Sequence, residues 1–166
     1  MPVADPRDPV RVVIDTNVCL DLLVFEDPAT QPLLDALHAG AMVAATCGDC
    51  RGEWHRVLRY PRLGLSEADG ARLEKAYDAL FINDVMSDVY ASIHADRVPR
   101  CADPDDQKFL ELAWKSGAAC LITRDKALLR LDRASRRRGL CAISTPAAWL
   151  RAPGQADAPA TPGHRG

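Results

Sequence analysis

Val10-Arg11-Val12-Val13-Ile14-Asp15-Thr16-Asn17 is a β-branched run that closes on three small polar residues. Val and Ile lose χ1 freedom in a helix and pack well on a pleated surface, so residues 10–14 read as a buried strand. A carboxylate directly behind such a strand stands where open α/β sheets keep their sites, outside the carboxyl ends of the strands. The fold then turns on whether more strands, each followed by a helix, are laid out behind this one.

They are. Val18, Leu20, Leu22 and Leu23 suggest a first helix after Asp15. Asp27-Pro28 supplies a cap and then a proline at the first helical position, opening a helix with Leu33, Leu34 and Leu37 on one face and Gly40 at its end. Residues 41–45 form a second candidate strand, followed by a helix that carries Glu53, Trp54, Val57 and Leu58 and stops at Pro61. Ser66-Glu67-Ala68-Asp69 resembles a capping box, with Leu73, Tyr77 and Leu80 at helical spacing behind it. In the stretch 81–102, Ile82, Val85, Val89 and Ile93 fit a strand and a helix equally. Asp103-Pro104 repeats the cap-then-proline signal, for a helix with Phe109, Leu110 and Ala113 on one face that stops near Gly117. Residues 118–123 are the clearest later strand; a short helix after Asp125, a strand at 140–143 and a turn at 147–150 follow. The proline-rich residues 1–9 read as a loose arm, 10–151 as one domain, and the Pro-, Gly- and Ala-rich residues 152–166 as a disordered tail. Strands alternating with helices imply a parallel sheet covered on both faces.

Composition narrows the function classes. A chain of 166 residues, 48% hydrophobic and 27% charged, fits one globular domain with its own core. No apolar run approaches the roughly 18 residues that span a bilayer, and the polar N-terminus has no apolar signal core, so a cytoplasmic protein without a membrane partner is expected. The net charge of −2 does not advertise nucleic-acid binding, so any polyanion must be met by local cations. The densest basic stretch holds Arg130, Arg133, Arg136, Arg137 and Arg138, and is either a solvated surface or a backbone-binding edge; Arg51, Arg56, Arg59 and Arg62 flank Glu53 as a second edge. Six cysteines are read as reduced, Cys120 and Cys141 lying in apolar strand-like runs. Cys47-x-x-Cys50 reads as half a zinc site or a redox pair, but there is no second such pair and His55 is not at zinc spacing. The four histidines share no spacing, and no phosphate-cradling glycine loop is present.

Four carboxylates fall near strand ends. Asp15 follows the first strand, and Asp125 follows Thr123 by two residues. Asp106 lies in the first turn of a helix whose packed face is Phe109, Leu110 and Ala113, and Glu53 lies in the helix behind the second strand. Each has an ordinary reading: Asp15 as a turn residue, Glu53 as a solvated helix residue, Asp106 as a capping-box partner and Asp125 as an N-cap. Together they have a chemical one. Mg²⁺ and Mn²⁺ prefer hard oxygen ligands, and such ions polarise a phosphate and lower the pKa of a bound water.

The same residues carry a family resemblance. Val12-Val13-Ile14-Asp15-Thr16-Asn17-Val18 resembles the opening motif of PIN domains, and Glu53-Trp54-His55-Arg56-Val57-Leu58-Arg59-Tyr60-Pro61 their second motif. Asp103-Pro104-Asp105-Asp106-Gln107-Lys108-Phe109-Leu110 is similar to the third, and Leu121-Ile122-Thr123-Arg124-Asp125-Lys126 to the fourth. The resemblance covers residues 10–150, with the toxin components of toxin–antitoxin pairs as the nearest branch. It implies a three-layer α/β/α sandwich with a mainly parallel sheet, and a metal-dependent endoribonuclease. Asp15, Glu53, Asp106 and Asp125 would then be both catalytic residues and Mg²⁺ or Mn²⁺ ligands, with Thr16, Asn17 and Thr123 as supporting polar groups. RNA would be the substrate, with Arg133, Arg136, Arg137 and Arg138 as nucleic-acid contacts; a nearby-encoded antitoxin and a homodimer are the partner expectations. The alternatives are a housekeeping RNA-processing nuclease and a non-catalytic RNA-binding module of the same fold. The sequence departs from the family pattern at Ala127 and Leu128, where many relatives carry a second acid, and at Cys47–Gly52, which replaces an apolar lead-in to Glu53.

Overall fold

In a computed structural model, residues 8–83 and 95–151 are described. Five strands, β1 (Val10–Ile14), β2 (Met42–Thr46), β3 (Phe81–Asn83), β4 (Cys120–Ile122) and β5 (Ala142–Ser144), form one sheet in the order β3-β2-β1-β4-β5. Every pairing is parallel, and Val12 at the centre faces Ala44 on one side and Cys120 on the other. The helices between them are α1 (Thr16–Leu23), α2 (Gln31–His38), α3 (Gly48–Leu58), α4 (Glu67–Leu80), α5 (Gln107–Ser116), α6 (Lys126–Leu129), α7 (Asp132–Arg137) and α8 (Pro146–Leu150). No helix among the described residues is long and apolar enough to cross a membrane.

The sheet is buried on both faces because alternate strand residues point to opposite sides. Val12, Ile14, Ala44, Cys120 and Ile122 pack against Val18, Leu22, Leu33, Trp54, Leu73 and Tyr77 of the first four helices. Val13, Ala45, Leu121 and Ile143 pack against Phe109, Leu110, Ala113 and Leu128 of α5 and α6. This is the expected three-layer sandwich.

Three strands start later than their apolar runs do, and for one reason. The N–H of Ala41 donates back to Ala36 O at 3.0 Å, across Gly40 at φ +72°, so Ala41 still closes α2. Ala118 donates to Ala113 O in the same way across Gly117 at φ +64°, and Leu140 to Ser135 O at 3.0 Å. In each case the residue behind the helix-ending glycine satisfies a helix carbonyl, and the ladder begins only after it. Earlier in the chain, α1 begins at Thr16 rather than at its first apolar residue, because Asp15 caps it. Of the stretch 81–102, residues 81–83 are the edge strand β3, with Phe81 stacked on Tyr77 at 4.0 Å between ring centroids. Val85, Val89 and Ile93, residues 1–7 of the expected arm, and the expected tail at 152–166 lie outside the described residues. The single short helix read after Asp125 is two helices, α6 and α7.

Candidate active site

Leaving β1, the chain moves toward β2 and β3 on one side of the sheet, and returns through β4 and β5 on the other. A crevice opens at the carboxyl ends of β1 and β4, where the connections diverge. A pocket of about 200 Å³ lies there, lined by Asp15, Thr16, Asn17, Glu53, Asp106 and Asp125 together with Val57, Tyr60 and Phe109. All four carboxylates singled out in the sequence therefore line one pocket, brought in by four different elements.

Each is held by its local structure. Asp15 is the N-cap of α1: its Oδ1 accepts from Val18 N at 2.9 Å, and its Oδ2 accepts from the Thr123 hydroxyl. Thr123, with no exposed surface, also accepts from Asp125 N at 3.0 Å, so one hydroxyl ties the end of β1 to the end of β4. Asp125 in turn caps α6, accepting from Leu128 N at 3.1 Å. Cys47 is the N-cap of α3, so the Cys47–Gly52 lead-in is that helix's own first turn and Glu53 sits inside it. Glu53 Oε2 accepts from the Thr16 hydroxyl, and Oε1 accepts from Lys108 Nζ at 3.1 Å. Asp106 ends the short turn Pro104–Asp106 and precedes α5. Among the described residues no hydrogen bond engages its side chain.

The electrostatics follow from crowding like charges in a partly dry crevice. Burial raises the pKa of Asp15, against the opposing pull of the Thr123 and Val18 hydrogen bonds, and Asp125 and Glu53 push in the same direction as burial. Asp106 is raised to about 6, first by burial and then by the charges of Asp125, Asp103, Asp15 and Glu53. Both groups sit where a cation would be welcome.

Among the described residues no three His, Cys, Asp or Glu side chains converge as a finished ion cage. The all-oxygen donor set that lines the pocket suits Mg²⁺ or Mn²⁺, since Mg²⁺ takes one or two carboxylates and keeps several waters.

The basic residues divide differently from the sequence reading. Arg133, Arg136, Arg137 and Arg138 are exposed, but none lines the carboxylate pocket. Their run leads through α7 into the amino end of β5, whereas the pocket lies at the carboxyl ends of the strands. Arg136 is paired with Asp132 at 2.8 Å, and Arg138 donates to Arg97 O at 3.1 Å. The cation beside the carboxylates is Lys108, which with Arg56 lines an adjoining groove that also contains Glu53 and Asp105. The sequence marks Lys108 only by its place two residues behind Asp106 in the same helical turn. Tyr60 was read only as part of a motif; it lines the pocket 39% exposed, with the Arg62 guanidinium 5.4 Å from its ring centroid.

A protein-family model described as PIN domain matches residues 11–127. No curated protein sequence matches the chain. Among solved structures, the chain is similar to one in the crystal structure of VapBC2 from Rickettsia felis bound to a DNA fragment from their promoter. The TM-score is 0.59 at 10% sequence identity, over 82% of this chain and 98% of that one. At that identity the likeness is one of fold.

Proposed function

Because the chain belongs to the PIN-domain family, we propose that it is a divalent-metal-dependent endoribonuclease and the toxin of a toxin–antitoxin pair. The observation that carries this reading is the convergence of Asp15, Glu53, Asp106 and Asp125 on one pocket at the switch point of a parallel sheet. These four side chains would hold Mg²⁺ or Mn²⁺. When bound, the ion polarises a backbone phosphate and lowers the pKa of a bound water. The chain's own residues do the rest. Thr123 and the first turn of α1 fix Asp15, the Thr16 hydroxyl and Lys108 fix Glu53, and Val57, Tyr60 and Phe109 wall the pocket against bulk water. Lys108 and Arg56 lie where they offset phosphate charge along the groove that adjoins the pocket.

The toxin role is supported by the fold shared with a chain of the VapBC2 structure and by a chemical consideration. A ribonuclease free in a cell needs restraint, and an acidic pocket is readily blocked by an inserted arginine or lysine. Strong induction of the chain in a bacterial host, with mapping of newly formed RNA 5′ ends, tests the reading. Growth arrest with discrete new ends is expected, relieved by Asp106→Asn and by co-expression of the adjacent gene. Normal growth on soluble, nuclease-active protein would remove the toxin role and leave a housekeeping RNA-processing nuclease.

A further inference from the structure

Cys47 and Cys50 stand apart from the nuclease reading, on the first turn of α3. Cys47 is the extended N-cap whose carbonyl accepts the first hydrogen bond of α3, from Arg51 N at 2.9 Å, and Cys50 follows nearly one turn on. Helix rise and radius then put their Cα atoms roughly 5 Å apart, inside the span of about 4.4–6.8 Å that a disulfide requires. Side chains three positions apart on a helix are neighbours, and Cys50 is the largest influence on the Cys47 thiol. Cys47 is partly exposed and Cys50 only 4% exposed. The Cys50 thiol and the first-turn N–H groups of Asp49 and Cys50 hold Cys47 down at about 6, against the effect of burial. The same contact and burial push Cys50 far up. Of the other cysteines, Cys19, Cys120 and Cys141 are buried, and Cys101 is partly exposed but raised by burial.

We propose that Cys47 and Cys50 form a reactive dithiol that exchanges with low-molecular-weight disulfides, Cys47 as the attacking thiol and Cys50 as the resolving one. The Cys47 thiolate attacks one sulfur of the small disulfide; that S–S bond breaks, and one small thiolate leaves and takes a proton. Cys50 then gives up its proton to solvent and attacks Cys47 Sγ, expelling the second small thiolate. Two protein thiols are oxidised to one disulfide, and the reagent is reduced to two thiols. The chemistry is independent of RNA cleavage.

The reduced full-length chain is treated with oxidised glutathione and mapped by mass spectrometry. The wild type is expected to lose two hydrogens, with Cys47 linked to Cys50 and the other four cysteines free. Cys50→Ser is expected to stop at a glutathione adduct on Cys47, and Cys47→Ser to stay unmodified at Cys50. Limited iodoacetamide at pH 7 should label Cys47 about fourfold faster than an ordinary thiol of pKa about 9, the thiolate gain being partly offset by weaker intrinsic nucleophilicity. A wild type that remains fully reduced, or that takes glutathione on Cys101 while Cys47 and Cys50 stay free, would overturn the proposal. So would adduct formation at Cys50 in a Cys47→Ser protein whose circular dichroism matches the wild type.

Discussion

Asp106→Asn should stabilise the metal-free protein at neutral pH. Its carboxyl is shifted from the ordinary 3.8 to about 6, so between those values the folded chain binds a proton that the unfolded chain does not. Unfolding free energy therefore falls as pH rises from about 4 to about 6, and the penalty is complete above that. Taken in full, the shift is worth about 3 kcal/mol; Asp106 is only partly buried, and solvent screening reduces this to about 1–2 kcal/mol. Asparagine removes the charge at nearly constant volume and disturbs no hydrogen bond among the described residues. The assay is urea unfolding of both proteins in chelator from pH 4 to 8. The variant's advantage should be smallest at pH 4, grow through pH 5 and 6, and level off at about 1–2 kcal/mol by pH 7.5. A variant less stable than wild type at pH 7.5, or an advantage that does not vary with pH, would refute the reasoning and make Asp106 a structural residue of the α5 entry.

Three further predictions rest on the same site. Thr123→Val keeps shape but removes the donor to Asp15 and leaves Asp125 N unpaired, so urea unfolding should show a loss of about 2–4 kcal/mol. Asp15→Asn keeps a side-chain carbonyl for Val18 N while removing a buried charge, and should melt at or above wild type without metal; Asp15→Ala loses the cap and should fall below it by about 1 kcal/mol. In RNA-binding titrations against salt, replacing Arg56 and Lys108 by alanine should lower the slope by roughly 0.7 per lost phosphate contact. Replacing Arg137 and Arg138, which lead into the amino end of β5, should leave it unchanged.

The sheet and its two helical layers were legible because β-branched and apolar runs alternate with cap-proline-apolar helix starts. The ends of elements were less so. Glycines at 40 and 117 mark helix stops, yet the residue after each still bonds back to the helix, which the apolar run alone does not reveal. The acidic pocket was legible from position, since Asp15 follows its strand directly and Asp125 comes three residues behind the end of β4. Their linkage through Thr123 was not, because a hydroxyl joining residues 108 positions apart depends on β1 and β4 being neighbours. The arginine run at 133–138 shows the opposite limit. Charge density in sequence carries no information about which end of a strand it will reach, whereas the isolated Lys108 gains its role from α5 packing beside α3.

The most direct test is cleavage of a labelled single-stranded RNA by the purified chain with Mn²⁺ or Mg²⁺, beside Asp15→Asn and Asp106→Asn proteins shown to be folded. Metal-dependent internal cleavage by the wild type is expected, brought to background by excess chelator and by either substitution. Undiminished cleavage in excess chelator, or by both variants, would contradict it.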